Sequence, residues 1–342
     1  MVKINFTTAT ELCQIERSEP GSVGKPSTII IKKEKVITKN SKGNKVFLET
    51  PFYSGNSVRG KLRRICAGFL IKKGIEKGIE IKKEKITDFH LMNVGGGNDF
   101  QRQLFETVDK VRDLNPVLSV FGASLAISGK IKTSNFIPYK SFVDGVPEYY
   151  AYETEDGRLF SSIEYDDNFY KMDDLLDKKG NAKLVSDDVI MAWRERAEEN
   201  IKLISASRDE NNDEKNSSNK KIKKETIKSQ LRRKFVIRGV DFYGSFGEIE
   251  ELSPVERGMI YKAIEVFVLE NLGANEARNF GLVNYNIEYK DGSILETKVN
   301  EFLEPVITKK AYNDEVMSSI NAFNEWLETL SEENLFISDI LV

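Results

Sequence analysis

A single histidine, two cysteines and no run of about eighteen apolar residues set the first limits on this chain of 342 residues. With His90 alone, a two-histidine ribonuclease mechanism lacks its second partner. A lone histidine between Phe89 and Leu91 reads more readily as structural than as a general base. Cys13 and Cys66 have no metal-ligating neighbours in sequence and make no disulfide framework. That suits a reducing, cytoplasmic setting and argues against zinc. The missing apolar run excludes a membrane-spanning helix, and the opening Met-Val-Lys-Ile-Asn-Phe-Thr-Thr lacks a signal core and reads as a strand. Aspartate is absent from Gln14 to Val46, where Glu16, Glu19 and Glu34 are the only acids.

What is present is globular: 40% apolar and 31% charged residues, enough for a sizeable core under a heavily solvated surface. The net charge is −3, so any affinity for nucleic acid rests on local patches. Asn56–Arg64 holds four basic residues and no acid, and Lys220–Arg238 holds nine against Glu225 alone. Tyr312–Val342 holds seven acids and no base. The ordinary reading of such runs is a solvated face.

Val2–Thr7 reads as a strand, and Thr28–Thr38 with Lys45–Thr50 as a hairpin turning through Asn40–Asn44. A helix starts near Asn56 or Ser57, buries Val58, Leu62, Ile65, Cys66 and Phe69 at 3.6-residue spacing, and stops at Gly74. Further elements are a helix over Asp99–Asp113, a strand over Ser128–Thr133 and a strand over Phe235–Tyr243. Ser253-Pro-Val-Glu256 opens a helix by a capping box, with Met259, Ile260, Ala263, Ile264, Phe267 and Val268 inward and Gly273 as its end. A strand over Leu282–Tyr289 follows, then an amphipathic helix marked by Val316, Ile320, Phe323, Leu327 and Leu330. Residues 208–230 have little to bury and read as disordered.

Without insertions the order is strand, helix, strand, strand, helix, strand. That predicts an α+β fold of the ferredoxin-like, split β-α-β kind shared with RNA-recognition modules. Its core draws on residues 1–74, 128–133 and 235–290, with insertions at 75–127 and 134–234 and a helical segment at 291–342.

Gly55-Asn-Ser-Val-Arg-Gly60-Lys61 has phosphate-loop spacing, but Leu62 stands where a metal-binding hydroxyl is needed, which removes nucleotide hydrolysis. The segment makes better sense as a backbone-phosphate site at a helix start, through Asn56 and Ser57. Arg59 and Arg63 form one cationic edge of that helix, and Lys61 and Arg64 the other. Arg232, Arg233 and Lys234 beside the Phe235 strand are a second candidate for tracking phosphates, against the plain reading of a solvated loop. Tyr149, Tyr150, Tyr152, Phe160 and Tyr165 could stack on bases, though packing explains them as well. The paired acids Asp166-Asp167, Asp173-Asp174 and Asp187-Asp188 read as solvent-facing.

Pro51-Phe-Tyr-Ser-Gly55-Asn-Ser-Val-Arg-Gly60-Lys-Leu-Arg-Arg64 resembles a signature of the RAMP superfamily of CRISPR proteins. Leu272-Gly-Ala-Asn-Glu-Ala-Arg278-Asn279-Phe-Gly281-Leu-Val283 resembles its glycine-rich loop, with Asn279 where glycine is usual. Phe89–Gly97, including Gly95, Gly96 and Gly97, and Asn115–Lys132 are most similar to the Cas-seven backbone subunit of type IV complexes. The resemblance covers about residues 45–135 and 235–290, and implies an RRM-like palm with finger-like (75–127) and thumb-like (134–234) insertions. It implies a non-catalytic subunit that lines up with copies of itself along a CRISPR RNA. Implied partners are a Cas-five-like cap, a large subunit, a guide-processing nuclease, a complementary target strand (DNA favoured) and a helicase. No cofactor, metal or membrane is expected. Relatives in type III complexes cut RNA with an aspartate after the first strand, a stretch that has none here. The alternatives are a cleaving subunit using another acid, and a stand-alone RRM-like RNA-binding protein.

Overall fold

The computed structural model describes residues 2–13, 15–19, 27–95, 107–123, 127–143, 146–171, 229–273 and 279–337, with scattered positions between 186 and 199. In chain order, β1 (Val2–Thr8), β2 (Ile15–Glu19), β3 (Ser27–Ile31), β4 (Lys33–Lys39) and β5 (Lys45–Pro51) lead into α1 (Gly55–Glu76). Three short helices follow: α2 (Ile86–Val94), α3 (Val108–Leu114) and α4 (Pro116–Phe121). Then come β6 (Ile131–Thr133), β7 (Ile137–Pro138), β8 (Ser141–Val143), β9 (Val146–Glu148), β10 (Ala151–Glu153), β11 (Leu159–Ser161) and β12 (Glu164–Lys171). The C-terminal part holds β13 (Ser229–Val236), β14 (Asp241–Glu248), α5 (Pro254–Phe267), β15 (Val283–Tyr289), β16 (Ile294–Val299), β17 (Pro305–Ala311), α6 (Asp314–Thr329) and α7 (Glu332–Leu335).

The chain divides into two compact units. The first takes residues 1–16, 31–165 and 235–342, and the second residues 17–30 and 166–234. The main sheet of the first unit runs β17-β16-β15-β1-β14-β6, with β7 also paired to β14. Within it β15, β1, β14 and β6 are antiparallel neighbours. Each of the two helical crossovers, β1-α1-β6 and β14-α5-β15, therefore skips over one strand. That is the ferredoxin-like α+β topology.

Alternation along β1 explains the layering. Val2, Ile4, Phe6 and Thr8 are buried, whereas Lys3, Asn5 and Thr7 are exposed or half-buried. Phe6 stacks on Phe242 at 4.9 Å between ring centres and lies near Phe136 and Tyr285. Phe267 of α5 meets Tyr285 at 5.6 Å, so α5 covers this apolar face. The α5 capping box forms as expected, and α6 buries Val316, Ile320, Phe323 and Leu327 against α5. In the second unit, β13 pairs in parallel with β3 through Leu231–Ser27, Arg232–Thr28 and Arg233–Ile29.

Several boundaries move. The hairpin forms at Asn40–Asn44, but Thr28–Thr38 is split between β3 and β4, which belong to different sheets. Gly74 does not stop α1; it is a buried helical residue, because a Cβ there would run into Leu335. The strand expected over Phe235–Tyr243 is broken by a turn at Gly239, whose φ is 80° and whose N–H donates to the Thr8 carbonyl. The α5 helix ends at Phe267, six residues before Gly273. Of the helix expected over Asp99–Asp113, the described part is α3, and only Ile131–Thr133 of Ser128–Thr133 is strand. The segment expected to be helical from 291 begins with β16 and β17; β17 is an exposed edge strand, so it shows no period-two alternation of apolar residues. Residues 208–228 of the expected disordered loop lie outside the described residues. Among the described residues no helix is long and apolar enough to cross a membrane.

Candidate nucleic-acid interface

The Pro51–Arg64 segment leaves β5, bridges Phe136 through Tyr53, and enters α1 at Ser54. Gly55 is packed so closely on Ser134 that a Cβ would overlap the Ser134 carbonyl, and its N–H donates to Asn135 Oδ1 at 3.2 Å. Part of the helix start is therefore closed by the Ser134–Asn135 strand connection. Asn56 is exposed and Ser57 half-buried.

The four cations of the first turns of α1, Arg59, Lys61, Arg63 and Arg64, do not form two open edges. Arg59 Nη2 donates to the Phe121 carbonyl at 2.6 Å, at the C-terminal end of α4 where the helix dipole favours a cation. Burial lowers its pKa. Lys61 donates to the Asn271 carbonyl and pairs with Glu270 at 3.0 Å, leaving 15% of its side chain exposed.

Arg63 is 7% exposed and caps α2, donating from Nε to the Met92 carbonyl and from Nη2 to the Leu91 carbonyl, both at 2.7 Å. Burial, and then the charge on Arg59, bring its pKa down to about 10, which still leaves it charged at neutral pH. Gly95 ends α2 in the left-handed region at φ 94°, and a Cβ there would sit 3.0 Å from Arg63 Nη1. Glycine thus answers both the backbone and the guanidinium. Arg64 alone of the four is exposed. The spacing rule missed this because it knows the helix face but not which neighbouring carbonyls need a donor.

Lys72, exposed two turns on from Arg64, was not singled out by the sequence. The signal is in the periodicity: Arg64, Gly68 and Lys72 recur every fourth residue and are all exposed. They line a shallow depression with Lys61, Phe69 and Glu270.

The glycine-containing segment around Leu272 and Gly281 folds against the chain just after β1. Leu272 N–H donates to the Gly281 carbonyl and Gly281 N–H to the Glu11 carbonyl, at 2.8 and 2.7 Å. Gly281 has φ 80°, and a Cβ would overlap the Leu272 carbonyl. Asn279 is exposed with φ 59°, the left-handed conformation that made it an acceptable substitute for glycine. The two segments touch. Gly273 N–H donates to Tyr53 Oη at 3.2 Å, and Lys61 reaches Asn271 and Glu270. Gly96, Gly97 and Arg278 lie outside the described residues.

Arg232 and Arg233 have described backbone only, paired to β3; Lys234 Nζ lies 4.0 Å from Asp166 Oδ1. His90 is exposed on α2. Of the singled-out aromatics, Tyr149 packs on Tyr139, Tyr150 accepts from the Asp241 N–H at 3.3 Å, and Tyr165 packs on Phe235. Tyr152 and Phe160 stack on each other at 5.8 Å and stay exposed. Among the described residues no three His, Cys, Asp or Glu side chains gather as a metal site requires.

No family model matches this sequence, and no curated protein matches it. Among solved structures, one similar chain belongs to a "Type IV-B CRISPR Complex". The match has 12% identity and a TM-score of 0.42, over 84% of this chain and 90% of that one.

Proposed function

We propose that this chain holds single-stranded guide RNA, without cutting it, as a repeating backbone subunit of a class 1 CRISPR effector complex of type IV character. One observation carries the reading. The two segments that resemble the RAMP signatures lie more than 200 residues apart in sequence, yet Tyr53 accepts a hydrogen bond from Gly273 and Lys61 donates to Asn271. A ferredoxin-like core with both segments at one place is the arrangement such a subunit needs. Phosphate contacts fall to Arg64 and Lys72, the cations exposed beside the junction, with Asn56 at the helix start.

Breaking a phosphodiester takes a positioned base, a metal held by carboxylates, or both. The only histidine is His90, and no aspartate lies between Gln14 and Val46. Partners in this reading are the guide RNA, further copies of the chain, the other effector subunits and a complementary strand.

The test is a salt titration of RNA binding by Arg64→Ala/Lys72→Ala. The expected result is weaker binding across unrelated sequences, with a slope shallower by roughly 0.7 per lost phosphate contact. Unchanged affinity and slope in a folded variant would overturn the assignment. Guide-loaded protein given labelled complementary RNA and Mg²⁺ should leave the label intact; a product ladder abolished by replacing one acid would favour a cleaving subunit.

A further inference from the structure

The hairpin between β16 and β17 turns through Asn300-Glu301-Phe302-Leu303-Glu304, and its tip is unusual in two independent ways. Leu303 has φ 61°, a left-handed conformation in which a Cβ is crowded and which glycine or asparagine normally fills. Phe302 and Leu303 are also 74% and 45% exposed. The tip is not loose. Asn300 Oδ1 accepts from the N–H groups of Phe302 and Glu304, both at 2.9 Å, and its backbone bonds Leu303 and Glu304. The fold thus holds a strained leucine and a bare phenylalanine in one fixed arrangement, flanked by the exposed carboxylates of Glu301 and Glu304. Strain of this kind persists where it serves a contact, and a rigid apolar tip is preorganised to make one. The adjoining edge of β17 carries Lys309 and Lys310, which discourage edge-to-edge strand pairing and leave the tip as the candidate for a contact.

A complementary surface exists on the same unit. On one face of the β4–β5 hairpin, Ile37 and Phe47 are directly paired across the strands and are 63% and 70% exposed. Lys39 and Lys45 face each other beside them, an unfavourable like-charge pair, and the exposed Lys42 lies in the turn. This patch is apolar, with Lys39, Lys42 and Lys45 on its turn side and the exposed Lys35–Glu49 pair on the other, a net positive rim; the tip is apolar with a glutamate rim. They also lie at opposite ends of the main sheet. The tip belongs to the β17 edge, whereas β5 packs on β7, which pairs with β14 at the other end. Five strand spacings, about 24 Å, separate those edges.

We infer that the Phe302–Leu303 tip of one copy docks on the Ile37–Phe47 face of the next copy. Because the two surfaces differ, the contact is head-to-tail and leaves both ends of an array open. The inference rests on the assembly part of the proposed function and names its contact. It concerns protein alone, so its failure in the absence of RNA leaves RNA binding by Arg64 and Lys72 to be judged separately.

The experiment is sedimentation of the full chain over a concentration series, without RNA, with two variants. Phe302→Ser/Leu303→Gly removes the tip and relieves the backbone, so its melting temperature should hold or rise. Ile37→Thr/Phe47→Thr removes the face with strand-compatible residues. The wild-type chain should associate, more weakly as salt is added, and each variant alone should associate at least about tenfold more weakly. Mixed, the two variants keep one good tip and one good face between them, so they should pair one-to-one and stop there. A wild-type chain that stays monomeric, variants that associate as it does, or a mixture that does not pair would each overturn the contact.

Discussion

The Gly273 amide donates to the Tyr53 hydroxyl at 3.2 Å, joining two segments that are 220 residues apart in sequence. Tyr53 is otherwise buried, with its ring edge against Phe6, so the hydroxyl reaches the glycine-rich segment from inside the core. Tyr53→Phe should keep the ring packing and remove the hydroxyl that accepts from Gly273. A cost of about 1 kcal/mol is expected, read by urea unfolding, with faster hydrogen exchange at the Gly273 amide than at amides of β1.

Arg63 and Arg64 are adjacent in sequence and should behave oppositely. Arg63→Met leaves the Leu91 and Met92 carbonyls without their donor and should cost about 2–3 kcal/mol. Arg64→Met should stay within about 0.5 kcal/mol in stability while lowering RNA affinity. Equal loss of stability in both variants, measured by denaturant unfolding, would contradict the capping role of Arg63.

Gly258 sits where α5 crosses α6. In an open helix Gly→Ala gains about 1 kcal/mol. Here a Cβ would collide with the Ser319 carbonyl and lie 2.9 Å from Phe323 Cβ. Gly258→Ala should therefore destabilise by about 1–3 kcal/mol, because the helices must separate. A melting temperature at or above that of the parent protein would refute this.

Glu256 gives the fold an acid-sensitive point. Burial alone would raise its carboxyl, but Lys130 at 2.8 Å and the Ser253 N–H hold it below the ordinary value. A lowered folded pKa means that the stabilisation is complete above the unfolded value and is lost as pH falls through the folded one. Stability should drop below about pH 4.5 for this reason. Glu256→Gln should flatten that part of the curve, and Glu256→Ala should cost about 3 kcal/mol or more by stranding Lys130. An unchanged acid limb in Glu256→Gln would sink the assignment.

Elements that bury a regular stripe could be read directly. Val58, Leu62 and Cys66 mark α1, and the Ser253–Glu256 box marks the start of α5; both patterns are local and follow from helical geometry. β16 and β17 escaped notice because an edge hairpin buries too little for alternation to show, and its apolar tip looks like any turn until exposure is known. The cations of α1 could be placed on faces of the helix, yet a helical face does not say what lies opposite it.

The sequence by itself determined the order of the core elements, the capping box that opens α5, and the apolar stripes of the long helices. These depend on neighbours within a few residues, where backbone geometry sets which side chains align. Only the tertiary structure decided that the Tyr53 and Gly273 segments meet, that Arg59, Lys61 and Arg63 serve carbonyls of α4, the Asn271 turn and α2, and that Arg64 remains free for solvent. An arginine is committed by whichever acceptor the folded chain brings within 3 Å of it, and that acceptor lies 28 residues away for Arg63 and 62 for Arg59.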